Sequence, residues 1–582
     1  MTPLSSSATP LRSYAEQLLW DLDHTGGDDR RWRHKVLRSL PEDFAENAAH
    51  LYRQRWLAGD SVAANAGLRD TTESVSARDA RLARDNDALM RFAQSRAHEA
   101  QRLRRQYPDD PQAVEALTRF AQRHGVTAPG CPKPYTAKQA MARLCDEAWW
   151  RRTVRKTVGR RVEHAAIKNN MVNKRKALYV SDGALERRRM QKRRNQALLE
   201  SLVAENESGY AATLQEIAAH SVSNPQNRRA ELMTRIAGCE AYSKAQSHSA
   251  IFLTATCPGR FHASLAASGD PNPKYSGACP RDAQEYLTRY WGRIRTALRR
   301  RNLRIYGLRI AEPHHDGTVH WHLVVFGAPT DLAHFEALCR EYWLIEDANE
   351  SGASEHRVTV VTVNPARGSA AGYIAKYVSK NIDGRHVGAD LEDDRGRDAT
   401  STAERVETWA SVWGIRQFQF FGTPSVTVWR ELRRLREPVE SPIEPFRLAA
   451  DQADWVGYMR LMDSSGPVQL LKAWSDAPGR YEEPKGWRIM GVILNGVTVS
   501  TRIHTWTIRR APVDDTTFPY TEIPPYTERL PDLEPDISPK HNEPTPRNGI
   551  TIAMETWSPV NNCTRVYRTR FTKTAVPPND SA

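Results

Sequence analysis

The sequence predicts an α+β protein, on three observations. Between Ala250 and Val363, short apolar runs and amphipathic stretches follow one another in the order β-α-β-β-α-β, the split ferredoxin-like or RRM-like arrangement. That order predicts an antiparallel sheet with helices on one face. The chain before about Ser247 alternates apolar and charged residues at helical spacing, and the chain after Arg436 turns β-rich once before becoming rich in Pro, Glu and Asp. The expected divisions are a helical region 1–140, a basic helical region 141–247, an α+β unit 248–436, a small region 437–511 and a Pro-rich, disordered tail 512–582.

A chain of 582 residues has room for two to four domains and a sizeable core. Its formal net charge of +14 and pI near 9.4 call for a polyanionic partner, which charge alone leaves open between nucleic acid and an anionic membrane. No apolar run approaches the ~20 residues that span a bilayer. Met1 to Arg12 lacks a charged start followed by an apolar core, so no secretory signal is expected. The seven cysteines are scattered and include no Cys-x-x-Cys pair. That pattern suits reduced thiols in a cytoplasm, with neither a disulfide framework nor a zinc module.

Taken in order, a Ser/Thr/Pro-rich lead is expected to be disordered, and helices are expected over Ser13–Leu22, Pro41–Ala58, Arg78–Tyr107 and Pro111–His124. The most basic stretch follows, from Arg151 to Arg194. It includes Arg151, Arg152, Arg155, Arg187, Arg188, Arg189 and Arg193, against only Glu163, Asp182 and Glu186. So long and single-signed a run is expected to contact phosphates, the alternative being a solvated helix face. Trp149 and Trp150 are read as core at a helix start, with base stacking as the alternative.

In the α+β unit, strands are expected at Phe252–Cys257, Leu303–Glu312, Thr318–Phe326 and Arg357–Val363, with helices at Arg281–Arg301 and Asp331–Trp343. This order places the third strand beside the first. A helix ending at Gly384 comes next, free to lie across that sheet, then a polar loop Gly384–Ala403. Helices at Glu404–Trp413 and Pro424–Leu435 flank a short strand, Arg416–Phe421. Finally, Trp487–Ile508 holds two β-rich runs joined at Asn495-Gly496, a hairpin signal.

The chemistry-bearing residues sit in the central hairpin and the helix after it. In His320-Trp321-His322, strand alternation puts both imidazoles on one face and Trp321 on the other. Glu312 on the preceding strand joins them only in one register. A two-residue Asp316-Gly317 loop would pair Glu312 with Trp321, whereas a three-residue loop, His315-Asp316-Gly317 with Gly317 left-handed, pairs it with His320. The second register is the expected one. Two imidazoles and a carboxylate with open positions suit Mn²⁺ or Mg²⁺ in preference to a closed structural zinc. In the helix, Tyr373, Tyr377 and Lys380 fall at i, i+4 and i+7, so they share a face and the phenols stand about 6 Å apart. Packing of two tyrosines on a core is the plainer reading, but Lys380 sits poorly in a core, and Ile374 and Val378 supply a separate apolar edge.

Together these residues resemble the HUH endonuclease superfamily, in which His-hydrophobic-His is followed by a helix carrying Tyr-x-x-x-Tyr-x-x-Lys. Within it the chain resembles the replication gene A family of phages and prophages. Further echoes are Asp146-Glu-Ala-Trp-Trp-Arg-Arg152, Tyr179-Val-Ser-Asp182, Phe252-Leu-Thr-Ala-Thr-Cys-Pro258 and Trp413-Gly-Ile-Arg-Gln-Phe-Gln419, so the resemblance runs from about residue 140 to about residue 436. It implies a metal-dependent enzyme that nicks and rejoins origin DNA in rolling-circle replication. Tyr373 and Tyr377 would be the nucleophiles, Glu312, His320 and His322 would hold a divalent ion, and Lys380 would assist. No Gly-x-x-x-x-Gly-Lys phosphate loop occurs, so a host helicase is the implied partner. Two rival readings are set against this. A histidine-triad hydrolase needs a third alternating ligand where Val324 stands; a non-catalytic nucleic-acid binder on an RRM-like sheet would depend on neither tyrosine nor metal.

Overall fold

The computed structural model describes residues 14–19, 27–131, 133–364, 366, 368–382, 399–511 and 552–555. The expected disordered lead, most of the loop Gly384–Ala403 and most of the Pro-rich tail lie outside them.

The fold is α+β, with antiparallel sheets among many helices. The central sheet has five strands: β1 Ser249–Ala255, β2 Ile305–Pro313, β3 Val319–Gly327, β4 Val358–Thr362 and β5 Phe418–Phe421, in the order β4-β1-β3-β2-β5. Every neighbouring pair is antiparallel. The His-x-His strand β3 therefore lies beside the opening strand, as its place in the chain predicts. The short run after the helices becomes an edge strand beside β2.

Helices Pro280–Arg300 and Pro329–Trp343 connect β1 to β2 and β3 to β4. They bury Tyr286, Tyr290, Ile294, Leu332 and Phe335 against Trp321, Leu323 and Val325 of β3. The connecting helices were expected to cover one face, with the tyrosine helix alone free to lie across the other; that expectation is corrected, because helix Pro225–Ala245 also packs on the second face. Phe252, Leu308, Ile310, Val324 and Phe326 point to the other face, where they share a second core with Ile236 of helix Pro225–Ala245 and with Ile374 and Val378 of helix Ala370–Ile382. The reason is legible afterwards in Leu323-Val-Val-Phe326, which is apolar at consecutive positions and thus needs cover on both sides.

The first core continues from the sheet into the N-terminal helices without a break in its contacts, taking in Phe44, Leu89, Leu117, Trp150 and Val158. Trp150 is fully buried and its indole donates to the Leu144 carbonyl at 2.7 Å, so it is core, as read. The helix expected over Arg78–Tyr107 is two, Ala77–Arg84 and Asn86–Arg105. Asp85 adopts an extended conformation between them and accepts from Asp87 N and Ala88 N at 2.9 Å, the usual role of an Asp cap. Helices Gly27–Ser39 and Ser61–Ser74 were not anticipated.

The reading of everything before Ser247 as helical is also corrected. Strands Leu202–Asn206 and Ala211–Thr213 lie in a four-stranded sheet with Thr505–Arg510 and Ile552–Glu555, the last within the tail expected to be disordered. The hairpin at Asn495-Gly496 is present, joining Pro484–Leu494 to Val497–Ser500 with φ of 48° and 83° at the turn residues. Its second strand stops at Ser500; the following run, Thr505–Arg510, leaves to pair with Leu202–Asn206.

Candidate active site

The hairpin between β2 and β3 closes with His314 N donating to Thr318 O at 2.7 Å and Gly317 N donating to His314 O at 2.8 Å, Gly317 having φ 83°. The loop is thus the three-residue one, and Glu312 stands opposite His320. Asp316 anchors the turn from inside. Its fully buried carboxylate accepts from Thr318 N and Ala263 N at 3.0 Å and meets His262 Nδ1 at 3.2 Å.

Across β1, β3 and β2, the face that carries both imidazoles runs from an apolar row, Phe252, Val324 and Leu308, through Thr254, His322 and Ile310, to a polar end at His320 and Glu312. There the nitrogens His320 Nε2 and His322 Nε2 lie 2.9 Å apart, and Glu312 Oε2 lies 4.0 and 3.7 Å from them. Two imidazole nitrogens bound side by side to one ion at ~2.1 Å would stand ~3 Å apart, so the pair already has ligand spacing. Burial lowers the pKa of both histidines, leaving them neutral, the form that binds metal. Glu312, His320 and His322 form a three-residue cluster with converging ligand atoms. The donor set fits a divalent ion.

Three residues that the sequence reading missed orient this cluster. Thr254 Oγ1 lies 3.0 Å from His322 Nδ1. Asn381, buried on the tyrosine helix, donates to Glu312 Oε1, and Gln417 Nε2 reaches Asn381 Oδ1 at 3.4 Å. Such partners fix ring and carboxylate orientation and ligand basicity. Thr254 lies in the Phe252–Pro258 stretch singled out above, and strand alternation from Phe252 places it on the histidine face. Asn381 falls four residues after Tyr377, within the helical stripe.

The tyrosine helix, Ala370–Ile382, is held over this face at its start: Gly372 N donates to Ser369 Oγ at 2.9 Å and Ala371 N to Glu240 Oε2 at 2.9 Å. A carboxylate at a helix N-terminus also complements the helix dipole. Tyr377 is partly buried, its ring 4.5 Å from that of His322 and 5.5 Å from that of Phe252. Tyr373, 5.7 Å from Tyr377, packs edge-on to Phe252 and is half exposed. Burial raises the Tyr377 pKa, and hydrogen bonding to Tyr373 and the charge of Glu312 add to it. Lys380 Nζ lies 3.7 Å from Glu312 Oε2 and 5.8 Å from the centre of the Tyr179 ring. Burial opposes its charge, but Glu312 and Tyr179 more than offset that, so it stays an ammonium. The structure therefore brings Glu312, His320, His322, Tyr377 and Lys380 together, with Tyr373 at the rim.

The basic candidates are spread over two helices, Glu147–Lys168 and Asp182–Glu200, and much of their charge is met from distant parts of the chain. Arg188 makes a forked contact with Glu407 at 2.6 Å and Arg189 pairs with Glu404 at 2.7 Å, both acids on helix Ala399–Trp413. Arg187 faces the fully buried Glu163 at 4.0 Å, and Arg151 is buried. Arg193 is exposed. Between the two helices lies a cleft of about 330 Å³ lined by Arg152, Arg155, Lys156, Arg160 and Arg194. Arg155 bonds only to the neutral Asn86 side chain and Arg160 to the carbonyls of Val412 and Trp413. Burial lowers the pKa of Arg155, Lys156 and Arg160, and a nearby cation adds to it in each case: Arg194 at Arg155, Arg160 at Lys156 and Arg281 at Arg160.

Two strands presenting a His-His-carboxylate cluster, roofed by a helix with two tyrosines, define the class of site. Residues 78–385 match the family described as Bacteriophage replication gene A protein (GPA), and the chain belongs to that family. The match begins well before the residues that carry the resemblance in the sequence. Among relatives, the Replication gene A protein of Escherichia phage 186 is 42% identical over 302 residues, 51% of this chain and 43% of that protein. The Replication gene A protein of Escherichia phage P2 is 36% identical, over 61% of this chain and 49% of its own length. A Probable replication endonuclease from a prophage-like region of Salmonella paratyphi A is 38% identical, over 56% of this chain and 40% of its own length. The chain spans about half the length of the curated relatives it matches. No solved structure matches it. No helix among the described residues is long and apolar enough to cross a membrane, and Cys131, Cys145, Cys239, Cys257, Cys279 and Cys339 are free thiols.

Proposed function

We propose that the chain is a phage or prophage replication endonuclease of the HUH type, built on an RRM-like sheet, that nicks one strand of its own origin DNA and later rejoins it, initiating rolling-circle replication. The observation that carries this reading is the position of Tyr377, ring to ring at 4.5 Å with His322, beside the three-ligand cluster.

A phosphodiester repels nucleophiles through its negative charge. Mn²⁺ or Mg²⁺ held by Glu312, His320 and His322 would withdraw that charge and orient the phosphorus. The phenolic oxygen of Tyr373 or Tyr377 forms a bond to phosphorus as the bond from phosphorus to the 3′ oxygen breaks. The phenol loses its proton to solvent, the 3′ oxygen takes one from solvent and leaves as a free 3′-hydroxyl, and the 5′ end stays on the tyrosine. One phosphoester replaces another, so a 3′-hydroxyl can reverse the step. Lys380, held as an ammonium near the cluster, stabilises charge developing during attack and does not serve as the base. Two tyrosines one turn apart let one hold a DNA end while the other cuts the next copy.

Binding is assigned to the basic region, 141–247, and cutting to 248–436. Arg152, Arg155 and Arg193, with Lys156, Arg160 and Arg194, are the cations best placed to meet phosphate. Arg151, Arg187, Arg188 and Arg189 are buried or held in ion pairs and contribute by fixing the helices. Unwinding falls to a host helicase, and the enzyme works in the cytoplasm of the bacterial host. The test is incubation with supercoiled plasmid carrying the phage's own origin, with and without Mn²⁺. Protein covalently attached to a 5′ end only with metal supports the reading; metal-independent binding with no adduct would leave a nucleic-acid binder.

A further inference from the structure

The ribbon Gln469–Pro478 and Pro484–Leu494 carries two exposed tryptophans, and it lies beyond residue 385, where the family match ends. Trp474 and Trp487 face each other across the two strands, 48% and 66% exposed, with ring centres 5.5 Å apart and planes at 74°. Core packing does not account for them. The ribbon's buried contacts lie at its other end, where Val492 and Leu494 join Trp429 and Phe446. The Trp474 indole donates to Asp476 Oδ1 at 2.6 Å, which fixes the ring. Lys472, exposed, projects from the same strand face two residues away.

The tip of the ribbon is fastened to the basic region. Tyr481 OH accepts from Arg152 at 2.9 Å and donates to Asp146 at 2.6 Å, Arg480 pairs with Asp146 at 2.8 Å and Arg143 with Glu483 at 2.7 Å. Arg152 also lines the cationic cleft. Trp474 and Pro478, near the tip, are four positions apart, about 13 Å at the rise of a strand. The bonds of the tip to Arg152 thus join the tryptophan-bearing ribbon to the helix that lines the cleft, and surfaces of this kind engage ~4–16 nucleotides of one strand.

We propose that Trp474 and Trp487 form a stacking platform for unpaired bases of a single DNA strand whose phosphates lie in the cleft lined by Arg155, Lys156, Arg160 and Arg194. The inference rests on the DNA reading above. Indoles beside a cationic groove take bases of any sequence, because every base has a flat face. Duplex DNA keeps its bases stacked inside and has none to offer.

The test is fluorescence anisotropy of the full chain with labelled oligo(dT), without divalent metal. Trp474→Leu with Trp487→Leu should weaken binding about tenfold or more, the loss expected for one or two stacked bases, and leave blunt-duplex affinity and the salt slope unchanged. Trp474→Phe with Trp487→Phe should retain most of the affinity. Independently of any variant's folding, the wild-type chain should prefer oligo(dT) to an abasic strand of equal length by about the same factor. Equal affinity for the abasic strand, or a parallel loss on duplex, overturns the platform. Because no chemistry is involved, that failure leaves adduct formation on origin DNA untouched, and absence of the adduct says nothing against base stacking.

Discussion

Glu312 stands directly across the hairpin from His320, and the relation depends on Gly317, whose φ of 83° lets a third residue into the turn. One residue fewer in the loop would put Glu312 opposite Trp321, on the other face of the sheet. A Cβ at Gly317 would also lie 3.0 Å from the Tyr179 carbonyl oxygen. Gly317→Ala should therefore destabilise the fold by about 1–2 kcal/mol and weaken Mn²⁺ binding, seen as a lower Tm and a higher Kd by calorimetry. Unchanged values of both would show that the turn does not hold the register.

If, as proposed, the cluster serves chemistry and the basic region serves binding, His320→Ala and His322→Ala should each abolish nicking while leaving most DNA affinity. Glu312→Ala should give activity that recovers at higher Mn²⁺. Parallel loss of nicking and DNA affinity would mean that the histidines hold the fold; a Glu312 defect indifferent to metal concentration would remove that residue from the site.

Thr254→Val and Asn381→Leu keep side-chain size but remove the bonds to His322 and Glu312. Each should raise the Kd for Mn²⁺ by about 10–100-fold, the usual effect of losing such a partner. A melting temperature that falls while metal affinity stays constant would make them purely structural.

Tyr→Phe removes the attacking oxygen and keeps the ring. The double variant Tyr373→Phe with Tyr377→Phe should bind origin DNA and form no covalent adduct. Under alternation, at least one single variant still nicks and forms an adduct but fails to pass the bound 5′ end to a second cleavage. If one substitution is silent in both nicking and strand transfer, that tyrosine is structural.

The contact between helices Asp182–Glu200 and Ala399–Trp413 should loosen in acid. Burial tends to raise the pKa of Glu407, but Arg188 and Lys192 outweigh it and hold the carboxyl below its ordinary 4.5. A depressed folded pKa adds stability above the unfolded value and loses it as pH falls through the folded one. The Tm should therefore drop below about pH 4.5, and less steeply in Glu407→Gln. Identical slopes for both chains would place the acid sensitivity elsewhere.

Local chemistry alone determined the hairpin, the facing of His320 and His322 and the shared stripe of Tyr373, Tyr377 and Lys380, because each follows from periods of two or 3.6 residues; of the two loops it allowed, the structure has the three-residue one that was expected. The third-strand-beside-first order was legible too, since the β-α-β-β-α-β succession is that of the split ferredoxin-like sheet. What only the tertiary structure decided was which groups meet across long separations. Thr254 reaches His322 and Asn381 reaches Glu312 only once β1 and the tyrosine helix have packed on the same face. Arg188 and Arg189 look uncompensated within their own helix, yet Glu407 and Glu404 answer them from more than two hundred residues away. Leu202–Asn206 likewise has a local partner in Ala211–Thr213, but its other neighbour, Thr505–Arg510, comes from the far end of the chain. Charge and hydrogen-bond partners are set by proximity in space, and periodicity within one segment carries no record of it.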